Sequence, residues 1–284
     1  MNILVSGAIY LNYKLTAFAV GAAMGSFANV AILRWPDHRS VVSPPSTCPV
    51  CDTPLAWHDN IPIVSWMALR ARCRTCQTPI SAQYPLIELL GGLLALWWFE
   101  TLIPTPEAWH LANVAAWIHF YALSWLLLVA TFTDIRTRVI PDEVSIYAVP
   151  LGLIGTWFLN HLGYMGPLAI DFSDAVVGAT FTGLGLWGVA ALWVRIMGEE
   201  GLAMGDVKLM ALIGAWVGLT PGSLAVLLIA SLAGTAMGLV QLVWSRRSLG
   251  LPFAPALALG TLCWAQWAPS LQSTFFPSWG GLGL

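Results

Sequence analysis

Charged residues are scarce in this chain. Asp, Glu, Lys and Arg make up only 9% of its 284 residues, whereas a soluble domain carries roughly 25%. Hydrophobic residues reach 58%, so the composition excludes an ordinary soluble domain and indicates one polytopic membrane domain with an inserted polar loop. The net charge of −2 gives no bulk attraction to nucleic acid, and we expect no nucleic-acid partner.

Positive charge is also missing near the start. The first thirteen residues contain no Lys or Arg, so the basic region of a cleavable signal is absent. The uncharged apolar stretch from Leu15 to Leu33 is long enough to cross a bilayer by itself. We therefore expect a retained transmembrane helix here.

The apolar runs predict an all-α membrane protein with about eight transmembrane helices. Crossing the hydrocarbon core takes about 20 residues. The expected spans are 15–33, 86–103, 111–133, 144–161, 174–195, 207–219, 223–244 and 252–268. The sixth is short and follows a Gly-rich loop, so seven spans with a re-entrant sixth segment stay open as an alternative.

The basic residues support this helix count and place the N-terminus outside. Loops 34–85, 134–143, 196–206 and 245–251 then lie in the cytoplasm, where Lys and Arg are enriched. These loops and their flanks hold 11 of the 12 Lys and Arg residues, and only Lys14 lies outside. The eleven are Arg34, Arg39, Arg70, Arg72, Arg74, Arg136, Arg138, Arg195, Lys208, Arg246 and Arg247.

Four of the five cysteines form two C-x2-C pairs in the polar loop. Cys48 and Cys51 precede Cys73 and Cys76 by a gap of 21 residues, close to the spacing of a zinc ribbon. Each pair can chelate one face of a tetrahedral ion. Disulfides are the alternative, but a reducing cytoplasmic loop disfavours them. We expect a structural zinc ion.

The remaining candidates for metal chemistry are weak. His58 lies between the pairs, but four cysteines already fill a tetrahedral site. The chain has no His-Glu-x-x-His motif, and a four-cysteine site has no vacant position for substrate, so a catalytic zinc is not expected. Cys263 lies in the last span, where a small apolar role is typical.

Acidic residues at the ends of spans are few and chemically informative. They are Glu88, Glu100, Asp134, Asp142, Glu143 and Asp206. Asp134 closes the third span and Asp206, after Gly205, opens the sixth, which places both at the same membrane edge. Two facing carboxyl groups share one proton. One can then activate water while the other protonates a peptide carbonyl, which is the chemistry of an aspartyl protease.

Other interpretations of these acids stay open on spacing alone. Asp134 is close in sequence to Arg136 and Arg138, and Asp206 to Lys208, so both could be ion-pair partners or helix caps. Asp142 is an equal catalytic candidate, because Pro141, Asp142 and Glu143 have the composition of a helix start.

Several long segments, in order, resemble the type IV prepilin peptidases, which are intramembrane aspartyl proteases of the GxGD type. These enzymes are the leader peptidases of type IV pili and type II secretion. The similar segments are Gly25 to Pro36, Ser43 to Cys51, Asp59 to Pro62, Cys73 to Cys76, Ile80 to Glu88, Asp134 with Ile140 to Asp142, and Gly205 to Lys208.

The resemblance implies that Asp134 and Asp206 are the catalytic pair. It gives Asp142, Glu88, Gly205 and Lys208 supporting roles. One position departs from the family pattern, because the first Gly of the GxGD motif is Ala203 here. Ala reaches positive φ poorly, which puts the geometry of that loop in question.

The resemblance also implies a reaction and a location. The family cuts prepilins or pseudopilins after a Gly that ends a short basic leader, and many members then methylate the new N-terminus with S-adenosylmethionine. We expect a bacterial inner-membrane protein with the cysteine loop and the active site at the cytoplasmic face. Its parts are a first transmembrane helix (1–33), a zinc loop with four cysteine ligands (34–85) and a transmembrane peptidase core (86–284).

Two alternatives to the bifunctional enzyme remain at this point. A monofunctional peptidase would use the loop only for stability or substrate docking. A transporter or scaffold that relays protons belongs to another class, and it predicts acids deep within broken spans rather than at their edges.

Overall fold

A computed structural model describes residues 3–166, 168–199, 201–245 and 251–275. Over these residues the fold is helical, and two isolated β-bridges in the cysteine loop take the place of any sheet. The all-α prediction is therefore confirmed. Arg246 and Arg247, which contributed to the predicted orientation, lie outside the described residues.

Nine α-helices occur in the described residues, with several short 3-10 turns and, between α7 and α8, a π-helical turn (Leu219–Ser223). They are α1 (Ile3–Arg34), α2 (Val64–Ala68), α3 (Gln83–Leu102), α4 (Leu111–Thr137), α5 (Val149–His161), α6 (Phe172–Met197), α7 (Met204–Val217), α8 (Leu224–Ser245) and α9 (Ala254–Phe275). Each of the eight apolar runs coincides with one of these helices, and α2 is a single turn inside the polar loop.

Five helical segments are long and apolar enough to cross a membrane. They are Ile9–Asp37, Gln83–Leu102, Leu111–Thr137, Phe172–Met197 and Pro221–Gln241. Helices α5 and α7 have only 13 and 14 residues. At 1.5 Å per residue each is about 20 Å long, whereas the hydrocarbon core is about 30 Å thick. The structure thus supports a membrane protein with five candidate spans, and the count of eight goes beyond it.

The chain divides into two compact units, Met1–Val129 and Ala130–Leu284. In the first unit α1 packs closely on α3. A Cβ added at Gly21 would lie 2.5 Å from the Gly91 carbonyl oxygen, and one at Gly25 would lie 2.7 Å from Glu88 Cα. The two backbones approach this closely only because these positions are glycine.

In the second unit α7 lies at the centre and is surrounded by other helices. Its side chains from Leu209 to Trp216 are almost fully buried. Helix α6 reaches α7 at a glycine contact, where a Cβ on Gly178 would lie 2.5 Å from the Gly214 carbonyl oxygen. A short helix that is apolar on every side suits this central position, and its first turn carries Asp206.

Candidate active site and metal-binding loop

Asp134 lies in the last turn of α4, close to where that helix ends. Arg138 follows with φ of 60°, a left-handed conformation that stops the helix. The Asp134 side chain is buried, with 7% of the residue exposed. Its Oδ2 accepts a hydrogen bond from the backbone N–H of Ala254 at 3.0 Å. Asp134 is thus tied to the first residue of α9.

Asp206 lies in the first turn of α7 and is buried as well, with 8% exposed. The turn is closed by the Asp206 N–H, which donates to the Ala203 carbonyl at 3.0 Å. Ala203 itself has φ of −69° and ψ of 137°, an ordinary extended conformation. The position that departs from the GxGD pattern therefore needs no positive φ, and alanine fits it without strain.

The two aspartates of the second unit lie within electrostatic reach of each other. Their carboxyl groups are close enough for the charge of Asp134 to act on Asp206. No basic side chain in the described ranges forms an ion pair with either of them, and Arg138 acts on Asp134 only at longer range. Two buried carboxyl groups without a basic partner can share a proton, as general acid–base chemistry requires.

A pair of contacts joins the chain after α4 to the start of α7. Lys208 Nζ lies 2.6 Å from Asp142 Oδ1, and both side chains are about one third exposed. Beside this ion pair, a Cβ added at Gly205 would lie 3.2 Å from Ile140 Cβ, so a larger residue would push Ile140 away by a few tenths of an ångström. We call these two contacts the acid-pair clamp. Lys208 thus pairs with Asp142 rather than with Asp206.

The backbone segment that holds Asp134 was not apparent from the sequence. It runs from Leu251 to Ala254 and leads into α9. Ala254 donates to the Asp134 carboxylate, and the Phe253 backbone also interacts with it. Pro252 and Pro255 mark this segment as a helix start in the sequence, since proline favours the first helical turn. Its proximity to Asp134, 120 residues away, follows only from the fold.

The remaining acidic candidates lie elsewhere. Glu100 forms an ion pair with Lys14 at 2.8 Å in the first unit. Glu143 is half-buried in the short turn after Pro141. Glu88 is buried in α3, where its Oε2 accepts a hydrogen bond from the Ile63 backbone N–H at 2.6 Å. Glu88 therefore fixes the middle of the polar loop, just before α2, to α3.

The cysteine loop contains two turns of the same design. The first is closed by a bridge between Thr47 and Pro54, and the second by a bridge between Arg72 and Pro79. In each, the N–H of the residue after the second Cys donates to the carbonyl of the first Cys, at 2.9 Å for Asp52 and 3.1 Å for Gln77. Both of these residues have positive φ, 53° and 59°.

The likeness of the two turns is visible in the sequence as an internal repeat that the sequence analysis overlooked. Both follow the pattern C-x-x-C-x-T-P, in Cys48 to Pro54 and again in Cys73 to Pro79. Such a repeat predicts two equivalent metal-binding turns, because the backbone conformation that aims two thiols at one ion is the same in both.

The four sulfur atoms of this loop come together. All of them lie within 4.8 Å of one another, and Cys48 Sγ is 3.7 Å from Cys76 Sγ. Zn–S bonds of about 2.3 Å in a tetrahedron separate the sulfurs by about 3.8 Å, so the arrangement fits zinc. All five cysteines are free thiols, which argues against the disulfide alternative. Cys263 is half-buried in α9 and is not a member of this group.

The surroundings of these sulfurs favour the thiolate at Cys51 and Cys73. Hydrogen bonds with Thr53, first from its side chain, lower the pKa of Cys51 to about 6. Backbone hydrogen bonds from Cys76 and Thr75 lower the pKa of Cys73. At Cys76 a backbone hydrogen bond with Thr78 lowers the pKa, but burial and hydrogen bonds with the other three cysteines outweigh it and raise the pKa to about 12. Thiolates are the form that binds metal.

An ion pair connects the second turn to the rest of the loop. Arg74 donates through both Nε and Nη2 to the Asp59 carboxylate, at 2.6 Å for the shortest contact. This pairing holds the pKa of Asp59 below its usual value. His58 lies 3.7 Å from the same carboxylate and is not part of the sulfur group. His58 therefore has a place in the loop other than that of a metal ligand.

Comparison with known proteins gives a consistent result along the chain. Residues 19–102 match the bacterial peptidase A24 N-terminal domain, and residues 120–239 match the type IV leader peptidase family. A relative from Aeromonas hydrophila, named prepilin leader peptidase/N-methyltransferase, is 36% identical over 94% of this chain and 95% of its own length. A relative of the same name from Stutzerimonas stutzeri is 32% identical over 93% and 94%. No solved structure matches significantly.

Proposed function

This chain belongs to the type IV leader peptidase family, and we propose that it is a membrane aspartyl endopeptidase that removes the leader of type IV prepilins or pseudopilins. The reaction cuts after the Gly that ends a short basic leader. Asp134 and Asp206 are the catalytic residues. The observation that carries this assignment is the pair of buried carboxyl groups, close together and without a basic partner in the described part of the chain.

The two carboxyl groups divide the proton transfers between them. Asp134, whose Oδ2 already accepts the Ala254 N–H, suits the unprotonated role and takes a proton from water. The resulting hydroxide attacks the scissile carbonyl carbon while Asp206 donates its proton to the carbonyl oxygen. The tetrahedral diol then collapses: the leaving amine receives the proton held by Asp134, the C–N bond breaks, and one diol hydroxyl returns its proton to Asp206, so that the carboxylic acid product forms and both aspartates regain their starting states.

The membrane placement of the site follows from the same proposal. The active site lies at the cytoplasmic face of a bacterial inner membrane, with eight spans and the N-terminus outside. A prepilin has an apolar stem that can lie in the bilayer and a basic leader that stays in the cytoplasm. Its cleavage site then reaches the membrane edge, where α4 ends and α7 begins.

Zinc is the metal that best fits the cysteine loop. Cys48, Cys51, Cys73 and Cys76 would hold it, and its contribution is to fold the loop, since a site with four cysteine ligands has no vacant position for a reactant. Zinc binding to small cysteine-containing sites contributes about 10–16 kcal/mol. The zinc ion takes no part in the peptide cleavage.

N-methylation of the new N-terminus is the second activity that we propose. The names of the relatives include it, and S-adenosylmethionine supplies the methyl group when bound. A monofunctional peptidase is the alternative.

One experiment tests these proposals together. The detergent-solubilised protein is incubated with a purified prepilin, with and without S-adenosylmethionine, and the mature N-terminus is read by mass spectrometry. We expect cleavage after the Gly of the leader and, with the methyl donor, one added methyl group. Cleavage without methylation would leave the monofunctional peptidase, and an intact prepilin would favour a proton-relaying transporter or scaffold.

A further inference from the structure

A groove of about 420 Å³ lies beside the candidate active site, between α8 and the segment that leads into α9. Its wall on α8 is formed by Ser231, Gly234, Thr235, Met237 and Gly238, and its other wall by Leu251, Pro252 and Phe253. No charged side chain lines the groove among the described residues. Its volume lies within the range of roughly 300–1,000 Å³ that is typical of ligand sites.

Four of the five lining residues on α8 are small, and two of them are glycines that lie close to the opposite wall. A Cβ added at Gly234 would lie 3.0 Å from the Phe253 ring, and one at Gly238 would lie 3.0 Å from Leu251 Cδ1. The Thr235 hydroxyl donates to the Ser231 carbonyl of its own helix at 2.7 Å. Thr235 thus offers no unsatisfied donor to an occupant.

The groove is continuous with the acid pair through two consecutive residues. Phe253 lines the groove, and Ala254 donates its N–H to Asp134 at 3.0 Å. A chain that lies in the groove and passes Phe253 therefore arrives at the catalytic carboxylate. This continuity distinguishes the groove from the other apolar surface of the second unit, such as the exposed side chains of α6.

We propose that this groove binds the apolar helical stem of the prepilin substrate and thereby places the bond before that stem at Asp134 and Asp206. The inference rests on the proposed function. The uncharged walls suit an apolar stem and offer nothing to a basic leader. Small residues also allow close approach of a second helix within a membrane, where packing rather than hydrophobic burial drives helix association.

Photo-crosslinking from single positions tests the occupant. Benzoylphenylalanine is placed at Ser231 or Thr235 in a chain that also carries Asp206→Asn, so that a bound prepilin is not cut. The matched control is the same group at Leu232, which is exposed on the same helix but does not line the groove. We expect crosslinks to the prepilin stem from 231 and 235, and several-fold fewer from 232.

A second measurement separates substrate binding from damage to the site. Ser231→Leu and Thr235→Leu are expected to raise KM for a full prepilin about tenfold by overfilling the groove. They should leave kcat, and the cleavage of a peptide that lacks the stem, nearly unchanged. Equal losses on both substrates would instead indicate a disturbed site.

The outcomes distinguish the groove from the proposed function. If the unmodified protein does not cleave prepilin, the proposed function fails and the inference fails with it. If it cleaves prepilin but 231 and 235 crosslink only to lipid, or no better than 232 to the stem, the groove is a lipid contact and this inference alone is overturned.

Discussion

The cysteine loop holds its four sulfurs by local structure, whereas the acid pair is assembled from helices far apart in the chain. Each of the two cysteine turns lies within eight consecutive residues, and the two turns have the same backbone hydrogen bonds. Asp134, by contrast, depends on a backbone donor 120 residues away. The loop is largely exposed, and both aspartates are buried.

This difference separates what a metal stabilises from what helix packing stabilises. The loop has few buried apolar side chains, so a zinc ion bound there would supply much of its order. The acid pair needs no metal, because buried helices fix its geometry. A substitution in the loop should therefore leave prepilin cleavage measurable, and a substitution in the acid pair should leave zinc binding measurable.

The largest effect is expected at the acid pair. Asp134→Asn or Asp206→Asn removes a proton-transfer group, and prepilin cleavage should fall on the order of 10³-fold. Cleavage is followed by mass spectrometry, and zinc content should stay unchanged. Asp171→Asn, an exposed carboxylate of the same unit, serves as the control and should keep full activity. Full cleavage by both variants of the pair would remove the catalytic assignment.

A smaller effect on activity, but a complete loss of metal, is expected in the loop. Cys48→Ser should abolish stoichiometric zinc and make the loop sensitive to limited proteolysis, because one ligand of four is lost. Cys263→Ser, in α9, should keep the metal. Elemental analysis reads the zinc and gel mapping reads the cleavage sites. Zinc retained in Cys48→Ser would contradict the four-cysteine site.

The acid-pair clamp should have an intermediate influence on catalysis. Lys208→Met or Asp142→Asn should lower cleavage by about tenfold, through misplacement of Asp206. Stability should change by only about 1 kcal/mol, as expected for a partly exposed pair. The charge-reversed double variant, Lys208→Asp with Asp142→Lys, should recover part of the rate.

The control for the clamp is the other long-range lysine ion pair, between Lys14 and Glu100. Lys14→Met should leave cleavage unchanged, since that pair lies in the first unit. Additive losses in the Lys208 and Asp142 double variant, with no recovery, would show that the ion pair does not position the acids.

The smallest effect is expected at the ion pair within the loop. Arg74→Lys replaces a two-nitrogen contact to Asp59 by a single one. We expect a several-fold faster loss of zinc to a chelator, with prepilin cleavage unchanged while zinc remains bound. Chelator kinetics followed by absorbance provide the measurement, and an unchanged rate would show that the pair is not coupled to the metal.

Much of this architecture could be predicted from the sequence. Apolar runs located eight helices, since burial or lipid contact demands continuous hydrophobic stretches. The C-x2-C spacing identified the four sulfurs that meet in the loop, because their geometry is set locally. The number of membrane spans was harder to predict, since a buried central helix such as α7 has the same composition as a short transmembrane helix.

The details of the candidate site could not be predicted in the same way. From sequence spacing alone, Asp142 was as good a catalytic candidate as Asp134, and Lys208 was a possible ion-pair partner of Asp206. The structure instead pairs Lys208 with Asp142 and gives Asp134 a backbone donor from Ala254. Ala203 shows the same limit, because only its observed φ reveals that a glycine is not needed there.

The helical class, the sulfur cluster and the family could be inferred from the sequence, because each depends on residues that are close together or on composition along a single element. Which side chains meet across the helices, and so which of the described carboxyl groups are left without a basic partner, became clear only from the packed fold. A contact between distant residues depends on how whole helices pack, and the pattern of one helix does not specify its neighbour.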